Sequence, residues 1–218
     1  MILPSERASA RDDPDDRDGR AGEETGERAK VRRTLLETAA LLLDEEGPEA
    51  LTARRLTGAA NVSTMAVYTH FGGMPDLVRE IVAEGFRRLA DHVRDHPQTA
   101  DPVADLVGLA FAYRANARHN PHLYAVMFGA TSLGGYRLAP AEQAIGLYTF
   151  TILSEAVERA MDAGALRAGD PDRVAHQLWA AMHGYVMLEL AGLHLTSRDP
   201  VEEVFRPMIT HLLQGLSP

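Results

Sequence analysis

Apolar residues in this chain recur at spacings of three and four, and no stretch alternates convincingly with period two. That periodicity leaves helices as the only regular structure able to bury them together. Val31, Leu35, Ala39 and Leu42 form one stripe, stopped by Gly47-Pro48, and Leu77, Ile81, Val82, Phe86, Leu89 and Val93 form a longer one, stopped near His96 by Pro97. Proline then opens the later segments, at Asp101-Pro102, Asn120-Pro121, Ala139-Pro140, Asp170-Pro171 and Asp199-Pro200. At a first helical position proline sacrifices only an N–H that had no partner. The spacing predicts helices over 102–118, 121–129, 140–163, 171–194 and 200–215, and an all-α fold.

The stretch LTARRLTGAANVSTMAVYTHF, residues 51–71, predicts two short helices joined by a tight turn. Thr52 is placed to N-cap the first, through Ala60, with Leu56 and Ala59 inward and Arg54 and Arg55 near the surface. Asn61 sits where the chain must turn, and Asn tolerates positive φ. Ser63 is the expected cap of the second helix, residues 64–70. On it Val67 and Phe71 share one face, while Thr64, Met65 and Tyr68 share another. This is the pattern of a helix-turn-helix DNA reader.

Net charge is −9 over 218 residues, which suits nucleic acid only once it is divided along the chain. Residues 1–27 carry 4 Arg against 9 Asp plus Glu, and residues 91–218 carry 9 basic against 14 acidic. Residues 28–90, which hold the helix-turn-helix, carry 9 basic against 8 acidic, with Arg28, Lys30, Arg32 and Arg33 clustered. Local charge decides phosphate affinity. Residues 1–27, poor in apolar side chains, are expected to be a disordered acidic tail. Arg17 and Arg20 lie among aspartates there, which argues against a DNA-touching arm. The chain has no cysteine, so disulfides, thiolate metal sites and cysteine nucleophiles are excluded, and no apolar run approaches membrane-spanning length. A cytoplasmic location is the expectation, with no membrane partner.

Tyr68-Thr69-His70-Phe71, Gly72-Gly73 and the helix opening at Pro75-Asp76-Leu77-Val78 resemble the TetR family of one-component transcriptional regulators, most strongly over residues 28–90. The resemblance implies a three-helix helix-turn-helix DNA-binding domain over 28–88, with its motif at about 51–70, and a helical effector-binding and dimerisation domain over 89–218. It implies a homodimer on a palindromic operator, acting as a repressor released by a small-molecule effector. The DNA-binding set is then Thr52, Arg54, Arg55, Ser63, Thr64, Met65, Tyr68 and His70. Met65 is expected against a thymine methyl or sugar, Tyr68 and His70 on phosphates, and Arg54 on a guanine edge. Relatives usually carry lysine where this chain has Met74, so one phosphate clamp per subunit is expected to be missing.

Wide apolar faces near the C-terminus, Leu178, Met182, Tyr185, Val186 and Leu193 with Val204, Phe205, Met208, Ile209, Leu212 and Leu216, are the expected dimer surface, because family members pair through their last two helices. Trp179-Ala180-Ala181-Met182-His183-Gly184 resembles a Trp…His-Gly signature of one subgroup of TetR-type C-terminal domains, and Asn120-Pro121-His122-Leu123-Tyr124 with Met127-Phe128 fits the same subgroup. Trp179 and His183 stand one turn apart, as a satisfied core pair or as ligand contacts. Phe86, Phe111, Tyr113, Tyr124, Met127, Phe128, Tyr148 and Phe150 are the other candidates to line an effector pocket or to fill core.

Neither His119 with His122 nor His176 with His183 has a converging third ligand, so no metal and no cofactor is expected. No nucleophile elbow or phosphate-binding glycine loop is present. Gly129 to Gly135 follows a helix instead of a strand and reads as a connector. The chain is therefore expected not to be an enzyme.

Overall fold

Side-chain caps and proline first turns set where the helices of this protein begin. Asp101 accepts from the amides of Val103 and Ala104 at 3.1 and 3.0 Å, and Asp170 from those of Asp172 and Arg173 at 3.1 and 3.3 Å. The computed structural model describes residues 15–128, 140–193 and 198–218. Among them the helices are α1 (Asp15–Glu46), α2 (Ala53–Ala59), α3 (Met65–Phe71), α4 (Met74–Arg94), α5 (Pro102–His119), α6 (Pro121–Phe128), α7 (Pro140–Asp162), α8 (Pro171–Leu190) and α9 (Arg206–Gly215). One 3-10 turn, Pro48–Ala50, precedes α2, and a wider π-type turn, Val201–Phe205, leads into α9. The fold is all-α, as the periodicity predicts.

Several boundaries differ from expectation. Residues 15–27 are helical, continuous with α1, where a disordered tail was expected. Lack of apolar surface argues against packing, and residues 25–30 are indeed exposed. It does not oppose helix, because extending an existing helix gains one hydrogen bond per residue fixed. Thr64, not Ser63, stands at the start of α3, without a side-chain cap. Ala59 is exposed, and the buried partner of Leu56 on α2 is Thr57, whose hydroxyl donates to the Ala53 carbonyl at 2.8 Å. The left-handed Gly192 follows α8, which ends at Leu190, short of the expected 194. The connector expected at Gly129 to Gly135 lies outside the described residues.

One apolar core runs from Leu35 on α1 to Leu213 on α9. The central element is α4, which packs against α1 and α3 near its start and against α5, α6 and α7 farther along. The boundary expected at residue 88 therefore falls inside a helix buried along its length. Outward from α4, α7 lies on α8, and α9 on α5 and α8. Leu178, Met182, Tyr185, Val186, Phe205 and Ile209, expected on a dimer face, are buried in this intramolecular core. Met187, Leu188, Leu193 and Val204 stay exposed.

Candidate DNA-reading face and effector cavity

Two backbone devices shape the reading face. Asn61 adopts φ 54° between α2 and α3, and Gly72 adopts φ 80° where α3 ends. Thr52 accepts the Arg55 amide at 3.3 Å, the cap the sequence predicts. With Val67 and Phe71 buried, α3 turns Thr64, Met65, Tyr68 and Thr69 to solvent, Met65 being 64% and Tyr68 56% exposed. Met65 and Tyr68 thus present apolar surface on the outward side of this seven-residue helix.

Around them lie further polar and basic groups. Thr52, Ser63 and Arg54 are exposed, and the Arg54 guanidinium has no partner among the described residues. Arg55 instead pairs with Glu46, which removes it from unencumbered phosphate contact. His70 is half-buried, its pKa held below 6.5 by desolvation and by the nearby Arg28 and Arg32 charges. Arg28, Lys30 and Arg33 are exposed on α1. Met74 is half-buried and packs against the core. Thr69 was missed in the sequence because nothing in its spacing separates it from a solvated helix position.

A cavity of about 930 Å³ opens among α4, α5, α6, α7 and α8, the size range of sites for small organic molecules. Its apolar wall includes Phe86, Met127, Phe128, Phe150, Trp179 and Met182. Two glycines allow that wall to close. A Cβ on Gly85 would stand 2.3 Å from the Met127 sulfur, and one on Gly146 3.3 Å from the Phe86 ring. The wall also takes in Leu89, Val93 and Leu109, and a polar side that sequence reasoning missed: Thr149, Ser154, Asp172 and His176. Those residues come from helix faces that only the packing of α7 on α8 brings together.

Tyr124 and His183 stand behind the wall, not in it. Tyr124 is fully buried. Its hydroxyl lies 2.7 Å from His183 Nδ1 and 2.7 Å from the Tyr113 hydroxyl, which accepts the Trp179 indole N–H at 3.3 Å. Burial pushes the His183 pKa down, so its neutral form is favoured in the fold, and burial pushes Tyr113 up to about 12. The Trp179 and His183 rings are 6.0 Å apart.

Two expected pocket residues lie elsewhere. Phe111 packs edge-on against Phe205 at 5.2 Å, under the Arg206 guanidinium. Tyr148 is 45% exposed and accepts hydrogen bonds from Arg94. Both had the right residue type on the wrong face. His122 pairs with Asp44 at 2.6 Å, and the His119 ring neighbours that of His92 at 6.2 Å.

The reading face and the cavity share α4. Leu77, fully buried near its start, lies beside α3, while Phe86, Leu89 and Val93 face the cavity. Arg88, on the same helix, bonds Glu84 at 2.8 Å, Glu37 of α1 at 3.0 Å and Asn120 at 2.7 Å. These bonds link α4 to α1 and to the junction of α5 and α6.

Known proteins carry the same arrangement. Residues 35–81 match the family described as "Bacterial regulatory proteins, tetR family", and residues 106–212 match "Tetracyclin repressor-like, C-terminal domain". The uncharacterized HTH-type transcriptional regulator Rv0681 of Mycobacterium tuberculosis is 27% identical over 206 residues, 92% of this chain and 88% of that protein. A protein of unknown function from Rhodococcus sp. RHA1 superposes with a TM-score of 0.73 at 27% identity, over 86% of this chain and 96% of that one. AibR, solved in complex with isovaleryl coenzyme A and operator DNA, superposes with a TM-score of 0.64 at 19% identity, over 84% of this chain and 98% of its own. Two family matches, covering the helix-turn-helix and the helical bundle in the order the structure shows them, place this chain in the TetR family of DNA-binding transcriptional regulators.

Proposed function

We propose that the protein is a one-component repressor that binds a palindromic operator as a homodimer and is released when a small molecule fills the 930 Å³ cavity. The observation that carries this reading is the double role of α4, which buttresses α3 through Leu77 and walls the cavity through Phe86. About 14 Å of helix separates those two residues, short enough to move as a rigid rod. A ligand that displaces the Phe86 end rotates the seating of α3, and two recognition helices related by a two-fold axis then lose their common spacing. The exposed Met187 and Leu188 on α8, with Leu193 and Val204 beside them, supply apolar surface for the second subunit. AibR, with its coenzyme A ester and operator DNA, supports the pairing of the two ligand types on this fold.

For the ligand to release DNA it must bind the DNA-incompetent state more tightly, and operator must weaken ligand binding by the same factor. The test is to titrate a ligand found by thermal-shift screening, with and without an operator selected from random duplexes. Weaker ligand binding in the presence of operator, by about 5- to 150-fold, is the expected result. Equal affinities rule out induction, and tighter binding with operator present makes the ligand a co-repressor.

A further inference from the structure

The polar lining of the cavity is one-sided. Thr149 donates its hydroxyl proton to the Gly146 carbonyl at 2.7 Å, and Thr151 donates to the Leu147 carbonyl at 3.0 Å. Ser154 donates to the Asp172 carboxylate. His176 Nδ1 stands 2.8 Å from the Asp172 carbonyl, which can only accept, so Nδ1 carries the proton and Nε2 of the neutral ring is an acceptor.

The tyrosine relay follows the same logic. The indole of Trp179 can only donate, so Tyr113 accepts from it. The Tyr124 hydroxyl lies between the Tyr113 hydroxyl and His183 Nδ1, 2.7 Å from each, and either proton order through the relay leaves one donor without a partner in it. The hydroxyl protons of Thr149, Thr151 and Ser154 and the Nδ1 proton of His176 are thus spent internally.

Charge has the same sign. Glu155, Glu158 and Asp172 rim the opening, and the two glutamates have no ion pair among the described residues. Among the described residues no Lys or Arg lines the cavity. The apolar wall adds the ring faces of Phe128, Phe150 and Trp179, whose quadrupoles attract cations. Among the described lining residues a bound carboxylate or phosphate would meet no cationic side chain, and it would face the rim carboxylates.

We propose that this cavity selects an organic cation, an apolar body carrying ammonium or iminium N–H donors. The proposal rests on the reading of the cavity as the effector site, and names the class of effector.

Rhodamine 6G and fluorescein test it, because they share a xanthene ring, the first being a cation with N–H donors and the second an anion. Dye anisotropy with the full chain is expected to show saturable rhodamine 6G binding, about tenfold or more tighter than fluorescein. In a Glu155→Gln, Glu158→Gln, Asp172→Asn variant rhodamine 6G binding is expected to weaken about three- to tenfold, since each rim carboxylate is exposed and screened. The Glu155→Gln, Glu158→Gln pair, both surface positions, serves if the triple variant fails to fold. Equal binding of the two dyes, tighter fluorescein binding, no binding of either, or rhodamine 6G binding indifferent to the carboxamides overturns the proposal.

Operator release separates this from the regulatory reading. Rhodamine 6G bound in the cavity with the operator complex intact supports the cation site and defeats induction by that cation. An anionic ligand that occupies the cavity and dissociates the operator, while cations do not, upholds induction and defeats the cation site.

Discussion

Side chains with no internal partner lie on the outward face of the helix-turn-helix, the DNA-contacting surface proposed for this protein. Arg54 is the sharpest case, because its neighbour Arg55 is held by Glu46 while Arg54 is free among the described residues. If Arg54 reads a guanine edge, Arg54→Ala costs about 1–3 kcal/mol of binding and relaxes preference at one position of each half-site. Competition binding against operators varied one base pair at a time checks this, and uniform weakening on all of them would make Arg54 a phosphate contact. The identities of Thr64, Met65 and Tyr68 as outward residues were legible from helical spacing alone. The pairing of Arg55 with Glu46 was not, since nine residues and a turn separate them.

The turn between α2 and α3 decides how the reading helix is presented. Asn61 holds φ 54° there, a conformation that costs β-branched residues most. Asn61→Gly is expected to leave stability within about 0.5 kcal/mol, and Asn61→Val to lower it by about 1–2 kcal/mol, read from urea unfolding midpoints at constant slope. An Asn61→Val protein as stable as the parent would mean that the turn relaxes to negative φ. The long helix α4 was equally legible, from Leu77 to Val93, because one unbroken stripe specified it. Its neighbour α1 was misjudged at its start, because low apolar content speaks to burial and not to local hydrogen bonding.

Assembly is a property of the whole molecule. The apolar residues on α8 and α9 divide into those claimed by the intramolecular core and those left outside, and Leu188, 54% exposed, is the most exposed large apolar residue on α8. If the protein pairs through this face as proposed, Leu188→Glu is expected to give a monomer in sedimentation velocity while leaving the melting of the monomer core in place. A variant that remains dimeric moves the interface away from this face. In the proposed dimer the same change would remove the two-fold pair of recognition helices, and operator affinity is then expected to fall toward that of a single half-site.

By itself the sequence determined the helical class, the helix starts at Pro102, Pro121, Pro140 and Pro171 though not at Pro200, the Thr52 cap, the Asn61 turn and the outward face of α3, because each depends on residues within one or two turns of each other. Tertiary structure decided the rest. Phe111 and Tyr148 were plausible cavity residues that pack elsewhere, whereas Thr149, Ser154, Asp172 and His176 reach the cavity only because α7 lies against α8. The same packing sets the Ser154 hydroxyl against the Asp172 carboxylate. Helical periodicity tells which face of an element is buried, and it carries no information about what lies opposite that face.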